Sequence, residues 1–329
     1  MKKSVLLYAV IIFTFTATII ISILPDLGSS FFLSNNKSNF ISRGPFVRLF
    51  NIALIKPTFT AAAYHNSFYK FYFVYSSIPQ HARKNITSDL NLLSSRVTNQ
   101  TTASSSAFSI IYISEHLRIM FPKANVRILT DADVDNGNSL FFANGTNRYD
   151  ILILGHQEYV TQQEYDNLKR FVANGGTMTL MDGNVFYAQV KYDRNTHRIT
   201  LVKGHGWAFN GKSAWRSVSE RWANETSQWI GSNFLCYSCN ITFVNNPFQY
   251  RHHEEQYLTN SNDRILMNYN ASIAKKDSKP MRILIATYAL KYKAGKVIVL
   301  GIYADDIITN KKFSRYLDSL LISSRYIKV

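Results

Sequence analysis

Tyr149-Asp-Ile-Leu-Ile-Leu154, Thr161-Gln-Gln-Glu164 running on to Asn174-Gly-Gly176, and Thr177-Met-Thr-Leu-Met181 decide the fold. The first is an unbroken apolar run of the kind buried on both faces of a parallel sheet. Thr161 with Glu164 has the pattern of a capping box. Leu168, Phe171 and Val172 then recur at helical spacing, and Asn-Gly-Gly stops the helix. Thr177–Met181 is a second apolar strand. Strand, helix and strand within roughly 35 residues make a βαβ unit and hence a parallel sheet. Working outward, Phe50–Lys56 reads as a strand stopped by Pro57, Ala107–Met120 as a helix, and Val126–Thr130 as a strand. Downstream, Ile283–Tyr288 and Lys296–Leu300 read as strands, and a helix closes the chain over 310–323. Tyr187–Tyr192 and Arg198–Val202 flank Asp193-Arg-Asn-Thr-His197 and predict a β-hairpin. Residues 204–262 hold all four tryptophans (Trp207, Trp215, Trp222, Trp229) with little periodicity. The expectation is an α/β domain: a mostly parallel sheet with helices on both faces, plus a β-hairpin and an irregular insertion over 187–262.

The amino-terminal region has another character. Ser4–Leu24 is 21 residues without a charge, long enough to cross a hydrocarbon core of about 30 Å. Lys2 and Lys3 precede it, which predicts a cytoplasmic amino terminus. The organisation expected is a tail at 1–3, a transmembrane signal-anchor at 4–24, a linker at 25–45 and an extracellular domain at 46–329, in a single-pass protein of the cell membrane. A cleaved signal peptide is the alternative, but Leu24-Pro-Asp-Leu27 lacks the small residues of a cleavage site. Seven sequons start at Asn36, Asn85, Asn99, Asn144, Asn224, Asn240 and Asn270. Chance gives about five at such a composition, so the count is compatible with a glycoprotein without establishing one. Cys236 and Cys239 predict a local disulfide in an oxidising compartment. Redox chemistry fits less well, since a strand-like run rather than a helix follows the pair. Zinc binding shared with His252 and His253 suffers because adjacent histidines do not match ordinary ligand spacing. The net charge of +16 comes from scattered Lys and Arg with no run of five or six. It predicts a solvated basic surface or one facing anionic lipid headgroups, and no nucleic acid partner.

Chemistry in an open parallel sheet gathers beyond the carboxyl ends of its strands. Three such ends carry polar residues: Gly155-His156-Gln157-Glu158-Tyr159, Asp182-Gly-Asn184, and Gly301-Ile-Tyr-Ala-Asp305-Asp306. An imidazole and a carboxylate two residues apart suit metal binding or acid–base work. They also suit plain hydrogen bonding to the backbone of the turn. A second candidate cluster is His252-His253-Glu254-Glu255 between Tyr250 and Tyr257. Its adjacent side chains point to different sides, so at most one His and one Glu share a site. No Gly-x-Ser-x-Gly nucleophile elbow is present.

The stretch 149–192, with its Gly-His-Gln-Glu-Tyr turn, its Phe171-Val-Ala-Asn-Gly-Gly helix end and its Gly183-Asn-Val-Phe-Tyr-Ala-Gln-Val190 sequel, resembles the C-terminal domain of the N,N-dimethylformamidase large (beta) subunit. Thr130-Asp-Ala-Asp133 and Ala63-Tyr64-His-Asn66 are similar to two further segments of that family. The resemblance covers roughly residues 50–192. It implies a flavodoxin-like, class I glutamine-amidotransferase-like sheet. It also implies a mononuclear iron held by two tyrosinates and a glutamate, with a histidine two positions before the glutamate. On that resemblance Glu158 is a metal ligand, Tyr64 is one phenolate, and His156 is the adjacent acid–base group or a further ligand. The family's Arg-Pro-Tyr segment has no clear counterpart; Tyr69, Tyr72 and Tyr75 are near in sequence and suit the apolar side of a helix equally well. With His at position 156 the turn has no thiolate nucleophile. Two functional expectations follow: a membrane-anchored hydrolase of a small amide or other C–N bond, or a non-catalytic cell-surface module binding carbohydrate or a protein partner through its aromatic residues.

Overall fold

The computed structural model describes residues 50–65, 68, 93–98, 105–181, 185–204, 221–234, 242–244, 250–252, 256–258, 264–268, 275–276, 279–280, 285–300 and 311–323. The chain divides into units Met1–Val47 and Arg48–Val329, and every described residue lies in the second. The segment 4–24, Tyr69, Tyr72, Tyr75, Asp182, Cys236, Cys239, His253, Glu254, Glu255 and Asp305 lie outside the described residues. Among the described residues no helix is long and apolar enough to cross a membrane.

The strands used below are β1 (Asn51–Lys56), β2 (Ser94–Arg96), β3 (Asn125–Thr130), β4 (Ile151–Leu154), β5 (Tyr159–Val160), β6 (Thr177–Leu180), β7 (Ala188–Asp193), β8 (Arg198–Gly204), β9 (Arg264–Asn268), β10 (Ile285–Tyr292) and β11 (Gly295–Val299). The helices are α1 (Thr58–His65), α2 (Ser105–Met120), α3 (Asp131–Asn136), α4 (Gln162–Ala173), α5 (Ala223–Trp229) and α6 (Lys311–Ser323). A seven-stranded sheet runs β9-β10-β11-β6-β4-β1-β3. Its five strands from β11 to β3 are parallel, and β10 and β9 extend it antiparallel. The domain is therefore α/β with a mostly parallel sheet.

Alternation along the central strands sends residues to two cores. Ile52, Leu54, Ile151 and Ile153 meet Ile110, Ile113 and Leu117 of α2 and Leu317, Leu320 and Leu321 of α6. Ala53, Ile55, Leu152, Leu154, Met178 and Leu180 meet Tyr165, Leu168, Phe171 and Val172 of α4. Burial on both faces explains why β4 and β6 read as unbroken apolar runs. The hairpin forms as expected from β7 and β8, and it builds a second sheet, β2-β8-β7-β5. A third core of Phe59, Ala62, Ala63, Tyr159, Val190 and Leu201 fastens α1 to it.

One expectation needs correcting. Residues 221–234 fall within the predicted irregular insertion, yet they belong to the core. Trp222 and Trp229 are buried, and Trp222 stacks on Tyr165 at 4.4 Å. Trp229 donates from Nε1 to the Tyr165 hydroxyl, 2.9 Å, while the Tyr288 hydroxyl donates to Ile230 O, 2.9 Å. Indole N–H groups buried this way need internal partners, and Trp222 Nε1 finds its own in Gln162 Oε1, 3.1 Å.

Gly295, opening β11, lies against the end of α4: a Cβ there would come within 2.0 Å of Val172 O and 2.4 Å of Gly176 O. Both are backbone atoms and cannot swing aside. Gly145 has positive φ (+82°) but open space around it. Gly295→Ala is therefore expected to cost ~3 kcal/mol through overpacking, and Gly145→Ala about 1 kcal/mol through backbone strain alone. Urea unfolding of the two variants beside the wild type checks the ranking, and an equal effect would refute it.

Candidate functional site

Reversal of strand order beside β1 puts a topological switch point at the carboxyl ends of β1 and β4. Each of these strands delivers part of one cluster there. After β1, Pro57 presets φ for a helix start and Thr58–His65 forms α1. After β4, Gly155 makes the turn; a Cβ there would sit 3.1 Å from the Ile110 side chain. His156-Gln157-Glu158 follow, all buried.

Thr60 Oγ1 accepts from both Glu158 N (3.0 Å) and Tyr159 N (3.2 Å), which fixes the turn to α1. Tyr64 lies one helical turn beyond Thr60 on the same face, and its hydroxyl donates to Glu158 Oε2. His156 Nε2 lies 3.1 Å from the Tyr64 oxygen and 3.1 Å from Glu158 Oε2. The phenol proton is committed to the carboxylate, and an ionised carboxylate only accepts. Nε2 must then carry a proton to be attracted to both oxygens. From the other side, Phe186 N donates to Gln157 O (2.8 Å) and Ala188 N to Glu158 O (3.0 Å). Phe186 holds a positive φ (59°) that a bulky side chain rarely adopts, and its ring is locked between Tyr165 and Trp229.

Beneath the turn is a second polar group. Gln157 Nε2 donates to Ile55 O (3.0 Å) and toward Asp131 Oδ1 (3.4 Å). Asp131 Oδ2 accepts from Phe59 N (2.6 Å) and Thr58 Oγ1 (3.0 Å), capping α1. Burial pushes the Asp131 carboxyl up to about 6 despite these bonds. Glu164 is wholly buried, and burial plus the neighbouring Asp131 charge hold it well above the usual carboxylate range. Neither Glu164 oxygen accepts a hydrogen bond. Protonation resolves this, because a neutral Glu164 can donate to Asp131. The expected capping box at Thr161 is thus half formed: Thr161 Oγ1 accepts from Glu164 N, 2.9 Å, while the Glu164 side chain turns into the core. The complete box is at Thr130 and Asp133, opening α3.

Of the candidates from sequence, Tyr64, His156 and Glu158 come together. His252 falls on the short strand Tyr250–His252, paired with Thr242–Val244. Among the described residues no three His, Cys, Asp or Glu side chains gather as a metal site; the cluster has two of these and a phenol. Thr60, Gln157 and Asp131 were not among the candidates. Thr60 had a usable signal, standing four residues before Tyr64.

A family model described as N,N-dimethylformamidase beta subunit-like, C-terminal, matches residues 40–272. No curated protein matches. Among solved structures, the chain is similar to a ThuA-like protein of Bacteroides uniformis (12% identity, TM-score 0.42, covering 86% of this chain and 93% of that one). It is also similar to Gan42B, a GH42 β-galactosidase of G. stearothermophilus (13% identity, TM-score 0.41, 83% and 30%), and to an exo-β-1,4-mannosidase of an Opitutaceae bacterium (12% identity, TM-score 0.36, 83% and 34%). The chain spans about a third of the length of these two glycosidases, and likenesses at this level carry no functional argument.

The raised Asp131 carboxyl has a signed consequence. Its protonated form is favoured by folding, so its stabilisation is complete below about pH 4 and is lost as pH rises through about 6. Asp131→Asn should therefore gain on the wild type by about 2–3 kcal/mol between pH 4 and pH 7. Denaturant unfolding across that range measures it; a pH-independent difference would show that Asp131 titrates normally.

Proposed function

The chain belongs to the N,N-dimethylformamidase beta subunit-like, C-terminal family, and on that premise we propose that it is a metal-dependent hydrolase of a small amide or another C–N bond, anchored at a membrane. The observation that carries this reading is the convergence of the Tyr64 hydroxyl, Glu158 Oε2 and His156 Nε2 at the switch point of the sheet. The parallel strands, taken in chain order, lie 2-1-3-4-5, which supports a flavodoxin-like, class I glutamine-amidotransferase-like fold.

The donor set fits an iron ion. A phenol and a carboxylate both become anionic oxygen ligands on losing a proton, and hard oxygen donors suit ferric iron. Tyr64 and Glu158 would hold it. When bound, the ion supplies Lewis acidity toward a carbonyl and toward water. The remaining work falls to the protein. With the Tyr64 and Glu158 oxygens committed to the ion, neither would need the Nε2 proton, and a neutral His156 protonated at Nδ1 would take a proton at Nε2 from the attacking water and return it to the departing amine nitrogen. Glu158 and Tyr64 orient that imidazole, and the buried walls of the turn limit competing water. The anchor reading rests on the uncharged run Ser4–Leu24 behind Lys2 and Lys3. The binding-module alternative is weakened because Trp222 and Trp229 are spent in the core.

Metal content and visible absorption of the detergent-purified full chain test the proposal. Iron near one per chain with a tyrosinate charge-transfer band is expected. Glu158→Ala should lose the metal and Tyr64→Phe the band. His156→Ala should keep the iron while small-amide turnover falls about 10²–10³-fold. A folded chain that binds no iron and hydrolyses no small amide would sink the reading.

A further inference from the structure

The amino-terminal edge of the sheet differs in chemistry from the carboxyl edge that holds the cluster. It is where the chain enters the domain: Phe50 precedes β1, and Asn125 N donates to Phe50 O, 2.7 Å. Three large apolar side chains stand exposed there. Ile119 (76%) and Met120 (48%) end α2 just before β3, and Phe142 (48%) sits on the turn before β4. The Asn174 side chain ties that turn to the end of α4 by donating to Gly145 O, 3.1 Å. Cations surround them. Arg118 and Lys123 flank Ile119 and Met120, Lys293 lies in the β10–β11 turn, and Lys296 lines a cavity of about 660 Å³ with Asp150 and Gly175. The Arg148 guanidinium lies 4.6 Å over the Phe142 ring, and that of Arg170 lies 3.7 Å over Phe141. Asp150 lies among them and accepts from Asn51 N, 3.0 Å, and the exposed Glu115 stands on α2 one turn before Ile119. The acids Asp131, Asp133, Glu158 and Glu164 lie at the opposite edge, where β3 and β4 end.

Exposed aliphatic and aromatic groups ringed by Lys and Arg are the composition of a surface that meets the headgroup layer of an anionic bilayer. Phe50, the first described residue before β1, lies at the same edge. A linker over 25–45 has a root-mean-square span on the order of 25 Å if flexible, which keeps the domain within reach of the membrane from which that linker would emerge. We propose that the amino-terminal edge around Ile119, Met120 and Phe142 rests on anionic lipid headgroups, so that the Tyr64–His156–Glu158 cluster opens away from the bilayer. This rests on the reading of 4–24 as an anchor, and the test separates the two.

The full chain is mixed from detergent into vesicles of phosphatidylcholine alone or with phosphatidylglycerol, floated, and treated with a water-soluble acylating reagent. Mass spectrometry then reads each lysine. Lys123 and Lys293 should react about fivefold or more slowly on anionic than on neutral vesicles, with the difference removed by high salt. Lys191 and Lys203, exposed on the second sheet, should not change. Equal labelling of Lys123 and Lys293 on both vesicle types overturns the surface, as does protection of Lys191 and Lys203 instead. Flotation with both vesicle types supports the anchor. Flotation with anionic vesicles alone would sink the anchor and keep the surface, and flotation with neither would remove both.

Discussion

Thr60 gives one hydroxyl oxygen to two successive main-chain N–H groups, those of Glu158 and Tyr159. Both donors are buried where the chain has left the ladder of β4 and enters β5. Left unpaired, each would cost about 1–3 kcal/mol. The bond pair therefore determines where α1 lies against the turn, and the rest of the site is arranged by it. Tyr64 is carried one helical turn along the same face, over the carboxylate that the turn presents. Gln157, pointing the other way, closes the Ile55 carbonyl near the end of β1. His156 is then left facing both oxygens.

Charge is sorted across the domain along the strand direction. At the carboxyl edge burial and the neighbouring Asp131 charge push the Glu164 carboxyl well above its ordinary range, which favours shedding one of the two charges. Arg194 on the hairpin offsets Asp135 at 2.7 Å. At the other edge Arg148 and Arg170 lie over the rings of Phe142 and Phe141. An excess of +16 thus does not imply a uniformly basic molecule, and an anionic surface would see a different face from the one a small neutral substrate approaches.

Much of this was legible in the sequence, for physical reasons. β4, α4 and β6 stood out because strands buried on both faces are continuously apolar and α4 carries a clear apolar stripe between Thr161 and Gly175. The hairpin announced itself by its turn residues. His156 and Glu158 were found because polar residues directly after such a strand are placed in the crevice. Short elements were missed: α1 is eight residues and α3 six, too short to show a period. Glu164 looked like a capping residue, yet its side chain serves the core, since nothing local reveals the buried Asp131 contributed by another helix. Trp222 and Trp229 were read as peripheral because α5 is short and its neighbours are irregular; their burial depends on partners in α4 and β10 that only the tertiary fold brings near.

The central sheet also constrains the order in which the molecule comes into being. β1 is the first of the described strands to be made, yet its neighbours are β3 and β4, and the bond from Asn51 N to Asp150 spans 99 residues. The Thr60 clamp spans 98. Loop-closure entropy must be overcome across that length before any of these contacts rewards it. An emerging chain thus carries β1 and α1 exposed through the synthesis of some hundred further residues. During that time the apolar run Ile52–Ile55 is an unpaired edge open to association with other chains. The pairing that assembles the cluster is also the pairing that ends this hazard.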